Sequence, residues 1–192
     1  MLALPRGGVP VAFEIARELN APLDVFVVRK LDVPGHREYA MGAIASGGVR
    51  VIDDLAVHSL GIPSSVIDDV AAEELRELER REQLYRGRHL PLQIAGQIAI
   101  VVDDGMATGS SMRAAVMALR LHQPARIVVA VPVAPRQACE DLRAHVDELV
   151  CLTEPDSFIA VGQWYEDFRQ IRDHDVYDVL AKASAALNPV NV

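Results

Sequence analysis

The chain has 192 residues, 51% of them apolar, and a mean hydropathy of +0.16, which suits one ordinary domain with a sizeable core and excludes a disordered chain. Lys and Arg total 19 against 27 Asp and Glu, a formal net charge of −8, so no long-range positive field draws the protein to nucleic acid or to an anionic membrane.

Short apolar runs alternate with longer segments of helical period, and that rhythm predicts an α/β fold, a parallel twisted sheet flanked by helices. In chain order the predicted strands are Met1–Leu4, Asp24–Arg29, Gln97–Val102, Arg126–Val133 and Asp147–Leu152. Most are Val/Ile-rich without polar alternation and are expected to be buried on both faces. Between the second and third, Met41–Ser46 and Val49–Asp53 flank Gly47-Gly48, a pair that tolerates the positive φ of a tight turn and so predicts a β-hairpin excursion.

The first helix is predicted over Val9–Leu19, with Val9, Phe13 and Ala16 on one face. A second is predicted over Ser65–Arg86, opened by Ser65 and Asp68 as a capping box. In it acidic Asp68, Asp69, Glu73 and Glu74 precede basic Arg80, Arg81, Arg86 and Arg88, the order a helix dipole favours. Its apolar stripe of Ile67, Ala71, Leu75 and Leu78 is narrow, so the charges read as a solvated face. Helices near Ser111–His122, Pro135–Ala144 and Asp173–Leu187 complete the pattern. No apolar run reaches the roughly 18 residues of a spanning helix, and no secretory leader is recognisable. Cys139 and Cys151 lack C-x-x-C spacing and a nearby His cluster, so neither a disulfide framework nor a zinc site is implied and a reducing cytoplasm is the expected setting.

The most informative stretch is Ile98–Ser111, an apolar strand that ends in Asp103-Asp104 and turns through Gly105-Met106-Ala107-Thr108-Gly109-Ser110 into a helix. Ligands of open α/β sheets gather beyond the carboxyl ends of the strands, and a turn of small residues at a helix N-terminus offers free amides to a phosphate. Gly105 and Gly109 admit close approach, while Thr108, Ser110 and Ser111 add hydroxyls. A Walker A loop needs a Lys that is missing here, G-x-G-x-x-G does not occur, and an aspartyl-phosphate phosphatase separates its two acids by one residue.

This stretch closely resembles the phosphoribosyl-pyrophosphate motif of type I phosphoribosyltransferases. The resemblance implies that Asp103 and Asp104 hold the ribose hydroxyls, serve as the catalytic carboxylates and ligate Mg²⁺. It also implies that Gly105, Met106, Ala107, Thr108, Gly109 and Ser110 wrap the 5′-phosphate. Leu4-Pro5-Arg6-Gly7-Gly8 resembles the family's pyrophosphate loop, so Arg6, Gly7 and Gly8 are expected to bind the leaving group and the Pro5–Arg6 bond is expected to be cis. Val27-Val28-Arg29-Lys30 resembles a strand end whose Arg29 and Lys30 meet the pyrophosphate. Leu31–Ala40, with Pro34, Gly35 and His36, resembles the mobile loop that closes over the site.

Within about 154–170 a small hood is expected, packed on the C-terminal helix. Phe158, Trp164, Tyr165, Phe168 and Tyr177 fall within twenty positions in and just after it, either as a stacking platform for a base or as the hood's small core against the C-terminal helix. Arg136, after Val133, is a candidate acceptor contact. The resemblance covers nearly the whole chain and is nearest to a bacterial group of unassigned substrate that shares the ending Val161–Phe168. Against the family pattern the N-terminal segment reads as truncated, which leaves a sheet face less covered and favours a homodimer. The implied activity is transfer of the phosphoribosyl group of phosphoribosyl pyrophosphate to a nitrogenous, base-like acceptor, with Mg²⁺ and release of pyrophosphate. The alternatives are a non-catalytic regulator of the same fold that binds phosphoribosyl pyrophosphate or a nucleotide, and, more weakly, a hydrolase of a phosphorylated sugar.

Overall fold

Alternating apolar strands and amphipathic segments build two sheets in the computed structural model, which describes residues 1–87 and 90–187; Arg88 lies outside them. In chain order the elements are β1 (Leu2–Ala3), α1 (Gly8–Glu18), β2 (Asp24–Val25), β3 (Val28–Val33), β4 (His36–Ala45), β5 (Val49–Ile52), α2 (Asp54–Leu60) and α3 (Ser64–Arg86). There follow β6 (Ile98–Val102), α4 (Ser110–Leu121), β7 (Arg126–Val133), α5 (Arg136–Arg143), β8 (Glu148–Thr153), a 3₁₀ turn at Val161–Trp164 and α6 (Asp173–Leu187). The main sheet is parallel with strand order β2-β1-β6-β7-β8, and β3-β4-β5 form a separate antiparallel sheet. None of the described helices is long and apolar enough to cross a membrane.

Side-chain alternation divides the core between the two faces of the main sheet. Leu2, Ala99, Val101, Ile127 and Val129 pack on α4 and α5, whereas Met1, Ala3, Val102 and their neighbours pack on α1, α3 and α6. The second set of helices does not extend over the far edge. On β8 one face stays open, with Leu152 78% exposed, so this strand is not buried on both sides as its composition suggests.

The predicted strand over 24–29 divides instead of running straight. Phe26 still bonds to the Ala3 carbonyl at 2.9 Å, but Val27 then exchanges bonds with Ser46, amide to Ser46 Oγ and carbonyl from the Ser46 amide, both at 2.8 Å. That swap of partner carries the chain from the parallel sheet into the antiparallel one. The segment 31–40, expected as a mobile loop, is consequently hydrogen-bonded hairpin: Val33 pairs with His36 around Pro34-Gly35, where Gly35 has φ 81°. The 41–53 hairpin forms as expected around Gly47-Gly48, with φ of 82° and 72°.

The capping box at Ser65 and Asp68 does not form; α3 starts one residue earlier, with Pro63 at the cap and no side-chain bond to it. The short α2 was not foreseen, and its cap is Asp53, which accepts the Ala56 amide at 3.0 Å. The charged face of α3 is not wholly solvated either. Arg86 is buried, with Nε 2.9 Å from Asp24 Oδ1, Nη1 2.7 Å from Glu82 Oε1 and Nη2 2.9 Å from the Val25 carbonyl. A charge is retained there because each guanidinium nitrogen finds a partner, and it ties the end of α3 to β2.

Candidate active site

Parallel strands β1 and β6 lie side by side, with Leu2 opposite Val101 and Ala3 opposite Val102, and this pairing brings two turns together at their carboxyl ends. After β1 comes Pro5-Arg6-Gly7-Gly8, in which the Pro5–Arg6 bond is cis as expected. After β6 comes Asp103-Asp104 and the turn into α4. Contact between the turns is so close that a Cβ at Gly7 would overlap the Asp104 carboxylate, and one at Gly8 would stand 2.6 Å from the Val102 carbonyl. Glycine is required at both positions by space, not by φ.

The amides sort into used and free. Met106 donates to the Val133 carbonyl at 3.0 Å, and Ser110 makes a long 3.4 Å bond to Thr108 Oγ1. Among the described residues, the amides of Ala107, Thr108, Gly109, Ser111 and Met112 meet no acceptor within the protein. Gly109, at φ 70°, is the N-cap of α4 and turns this row toward the helix start. Gly105 and Met106 are buried and form the bend, while Thr108 and Ser110 keep their hydroxyls beside it. Beyond the β1 turn the Gly8 amide is taken by the Leu4 carbonyl at 3.1 Å. Arg6 and Gly7, among the described residues, keep theirs.

Asp103 and Asp104 are partly covered, and the Asp104 amide donates to Asp103 Oδ1 at 2.9 Å. Burial pushes the Asp103 carboxyl up to about 8, with the negative charge of Asp104 adding to the rise, and burial raises Asp104 too. Two carboxylates that resist ionisation side by side suit a site completed by hydroxyl donors or a cation. As hard oxygen donors within reach of a phosphate cradle they fit Mg²⁺, which takes one or two carboxylates together with substrate phosphates.

Adjacent residues of β3 face opposite ways, so Arg29 and Lys30 part company. Lys30 Nζ donates to Ser110 Oγ at 2.8 Å, beside the phosphate turn. Arg29 Nε instead meets Glu74 Oε2 on α3 at 2.5 Å. Lys30, Thr108, Ser110 and Arg113 border a hollow of about 690 Å³ in front of the turn. Arg6 faces a second cavity, of about 460 Å³, with Gly7, Asp104, Tyr165, Phe168 and Ile171; its guanidinium lies 3.5 Å from Asp173.

Segment 154–170 crosses above the turn. The Tyr165 hydroxyl donates to the Asp104 carbonyl at 2.5 Å, Val161 packs on Gly105, and the Tyr165 and Phe168 rings lie 5.2 Å apart. Burial, with the charges of Asp104 and Asp103 behind it, lifts the Tyr165 phenol to about 12, so it stays a donor. Trp164, Phe168 and Tyr177 are all more than 40% exposed, so the rings do not make a buried hood core. Only Tyr165 and Phe168 of the five line the cavity; α6 packs on α1 and α3. Arg136 is an outward residue, 3.7 Å from Asp156. The free amides of Ser111 and Met112 and the Tyr165 contact were not anticipated; the helix start at Ser110 was the available signal for the first two.

A family model described as "Phosphoribosyl transferase domain" matches residues 1–169. Two Mycobacterium tuberculosis proteins, from strains CDC 1551 and H37Rv and provisionally named phosphoribosyl transferases, are 45% identical to this chain over 183 residues. That alignment covers 95% of this chain and 41% of each relative, so the chain spans less than half the length of these relatives. The crystal structure of TT1426 from Thermus thermophilus superposes with a TM-score of 0.86 at 42% identity, covering 94% of this chain and 86% of that one. The free amides before α4, the paired aspartates beside Gly7 and the match over residues 1–169 agree, and the chain belongs to the phosphoribosyl transferase domain family.

Proposed function

We propose that the protein works as one unit, with 154–170 as its hood, and transfers the phosphoribosyl group of phosphoribosyl pyrophosphate to a nitrogenous, base-like acceptor, releasing pyrophosphate. The observation that carries this is the set of free amides of Ala107, Thr108, Gly109, Ser111 and Met112, placed between Lys30 and the Asp103-Asp104 pair. In this reading those amides, the Thr108 and Ser110 hydroxyls and the Lys30 ammonium seat the 5′-phosphate. Asp103 and Asp104 accept from the ribose hydroxyls. The Arg6 and Gly7 amides and the Arg6 guanidinium hold the pyrophosphate, which Gly7 lets approach.

Asp103 and Asp104 would hold Mg²⁺, which when bound neutralises charge on the leaving group. No nucleophilic side chain is called for; the chain's own part is to fix geometry and stabilise developing charge. The acceptor sits in the cavity of about 460 Å³, under Tyr165 and Phe168, whose rings offer a stacking face. The hood keeps water from the reacting carbon. The same reading carries the expectations of a cytoplasmic setting and a homodimer.

A second reading, a non-catalytic regulator of the same fold that binds the same ligand, is favoured by one observation. Arg29 is tied to Glu74, which leaves the pyrophosphate side with fewer free cations than the sequence offers. Incubation with phosphoribosyl pyrophosphate, Mg²⁺ and a panel of purine, pyrimidine and other nitrogenous ring acceptors, following pyrophosphate, separates the two. Release that depends on one acceptor supports the transferase; tight binding with no release for any acceptor supports the regulator.

A further inference from the structure

Cys139 on α5 and Cys151 on β8 belong to different elements, and their sequence spacing carries no metal signature. The β7-α5-β8 crossover nevertheless brings their sulfurs together with a carboxylate oxygen of Glu154, all three atoms within 4.8 Å of one another. Cys139 is fully buried, whereas Cys151 and Glu154 are half-buried, so the cluster is reached from one side. Cys151 Sγ also lies 3.2 Å from the Thr153 carbonyl, and Arg143 Nη2 donates to Glu154 Oε1 at 2.5 Å.

Metal–sulfur bonds of about 2.3 Å and metal–oxygen bonds of about 2.0 Å give tetrahedral sulfur–sulfur and sulfur–oxygen edges of roughly 3.5–3.8 Å, which fall inside the 4.8 Å that bounds the spacing here. Two sulfurs and one oxygen select a thiophilic, borderline-soft ion over Mg²⁺ or Ca²⁺. Three protein ligands leave a fourth position open on the exposed side. Charge also closes: two thiolates and a carboxylate are met by a divalent ion and Arg143, which already stands as an outer partner on Glu154. A cystine would use the two sulfurs and give Glu154 and Arg143 no part.

We propose that Cys139, Cys151 and Glu154 form a Zn²⁺ site that staples the first residue of the hood segment to α5. The position is consequential for the neighbouring site, because a Cβ at Gly109 would stand 3.9 Å from Ala138 Cβ, one residue before Cys139. A metal here steadies α5 against the phosphate turn. The site is independent of the transferase reading and stands or falls separately from it.

Chelator-treated protein, kept reduced, is titrated with Co²⁺ and then Zn²⁺. One equivalent of Co²⁺ gives a thiolate-to-cobalt charge-transfer band in the near ultraviolet, which one equivalent of Zn²⁺ abolishes; a Co²⁺ ion on Asp103 and Asp104 gives no such band. Cys139 lies in the core, so the variants are Cys151→Ser and Glu154→Gln. Cys151→Ser weakens Zn²⁺ by about 100-fold or more, and Glu154→Gln by roughly 10-fold with a thiolate band retained, since even outer partners cost 10–100-fold. No band in the wild type, or equal Zn²⁺ affinity in Cys151→Ser, overturns the site. So does a Cys139–Cys151 disulfide in oxidised protein whose reduced form takes no metal.

Discussion

Lys30 reaches across 80 positions of sequence to donate to Ser110 Oγ at 2.8 Å, while Arg29 beside it is held by Glu74 at 2.5 Å on the other side of the strand. A charged donor on a phosphate is worth about 1.5–3 kcal/mol. Lys30→Ala should therefore weaken phosphoribosyl pyrophosphate by roughly 10- to 100-fold, and Arg29→Ala by less than about threefold. Calorimetric titration of the two variants checks this; equal losses would place both cations on the ligand.

Gly7 leaves no room for a side chain beside Asp104. Gly7→Ala must push the carboxylate aside or open the turn, and either displaces the group expected to hold the ribose. A loss of ligand affinity of at least about tenfold is expected, with the far-ultraviolet circular dichroism unchanged. Affinity within twofold of wild type would show that the two turns do not share a ligand.

Burial and the neighbouring charge of Asp104 raise Asp103 from 3.8 to about 8. A carboxyl raised on folding stabilises the folded protein fully below its unfolded value, and that stability is lost as pH climbs through the folded value. The melting temperature should fall between about pH 4 and pH 8 through this group. Asp103→Asn, which cannot ionise, should raise the melting temperature at pH 8 by about 3 °C or more, the shift expected for about 1 kcal/mol in a chain of this size, and much less at pH 4. Scanning calorimetry at the two pH values tests it, and a variant equally destabilised at both contradicts it.

The Arg86 guanidinium is satisfied by Asp24, Glu82 and the Val25 carbonyl, and its removal strands Asp24 in the core. Breaking a buried pair costs about 3–5 kcal/mol, which for this length lowers the melting temperature by about 10 °C. Arg86→Met should show this loss. Adding Asp24→Asn should recover part of it, because the neutral amide oxygen still accepts the Leu92 amide. Thermal denaturation of the single and double variants decides.

What could be read in the sequence is what chemistry keeps contiguous. The run from Ile98 to Ser110 is one strand end, one turn and one helix start, so its residues carry their own placement, and Leu4–Gly8 is legible for the same reason. Arg29 and Lys30 differ because their roles depend on which sheet the strand joins, and the swap at Val27 is made by Ser46, nineteen residues away. The hairpin in 31–40 was hidden because Pro34-Gly35 signals a turn without saying whether its arms pair. Burial of Arg86 needs Asp24, which stands 62 residues away on the edge strand of the parallel sheet. The meeting of Cys139 with Cys151 and Glu154 follows from a crossover that no local spacing encodes. The open face of β8 is likewise a matter of where α1, α3 and α6 stop.

Binding of phosphoribosyl pyrophosphate with Mg²⁺, measured by calorimetry on the wild type and on the Asp103→Asn, Asp104→Asn double variant, bears most directly on the assignment. One ligand per chain, lost in the double variant while its melting profile stays cooperative, is the result expected. Unchanged affinity after both substitutions would mean that the aspartates beside the α4 turn do not hold the sugar, and the site would have to be sought elsewhere.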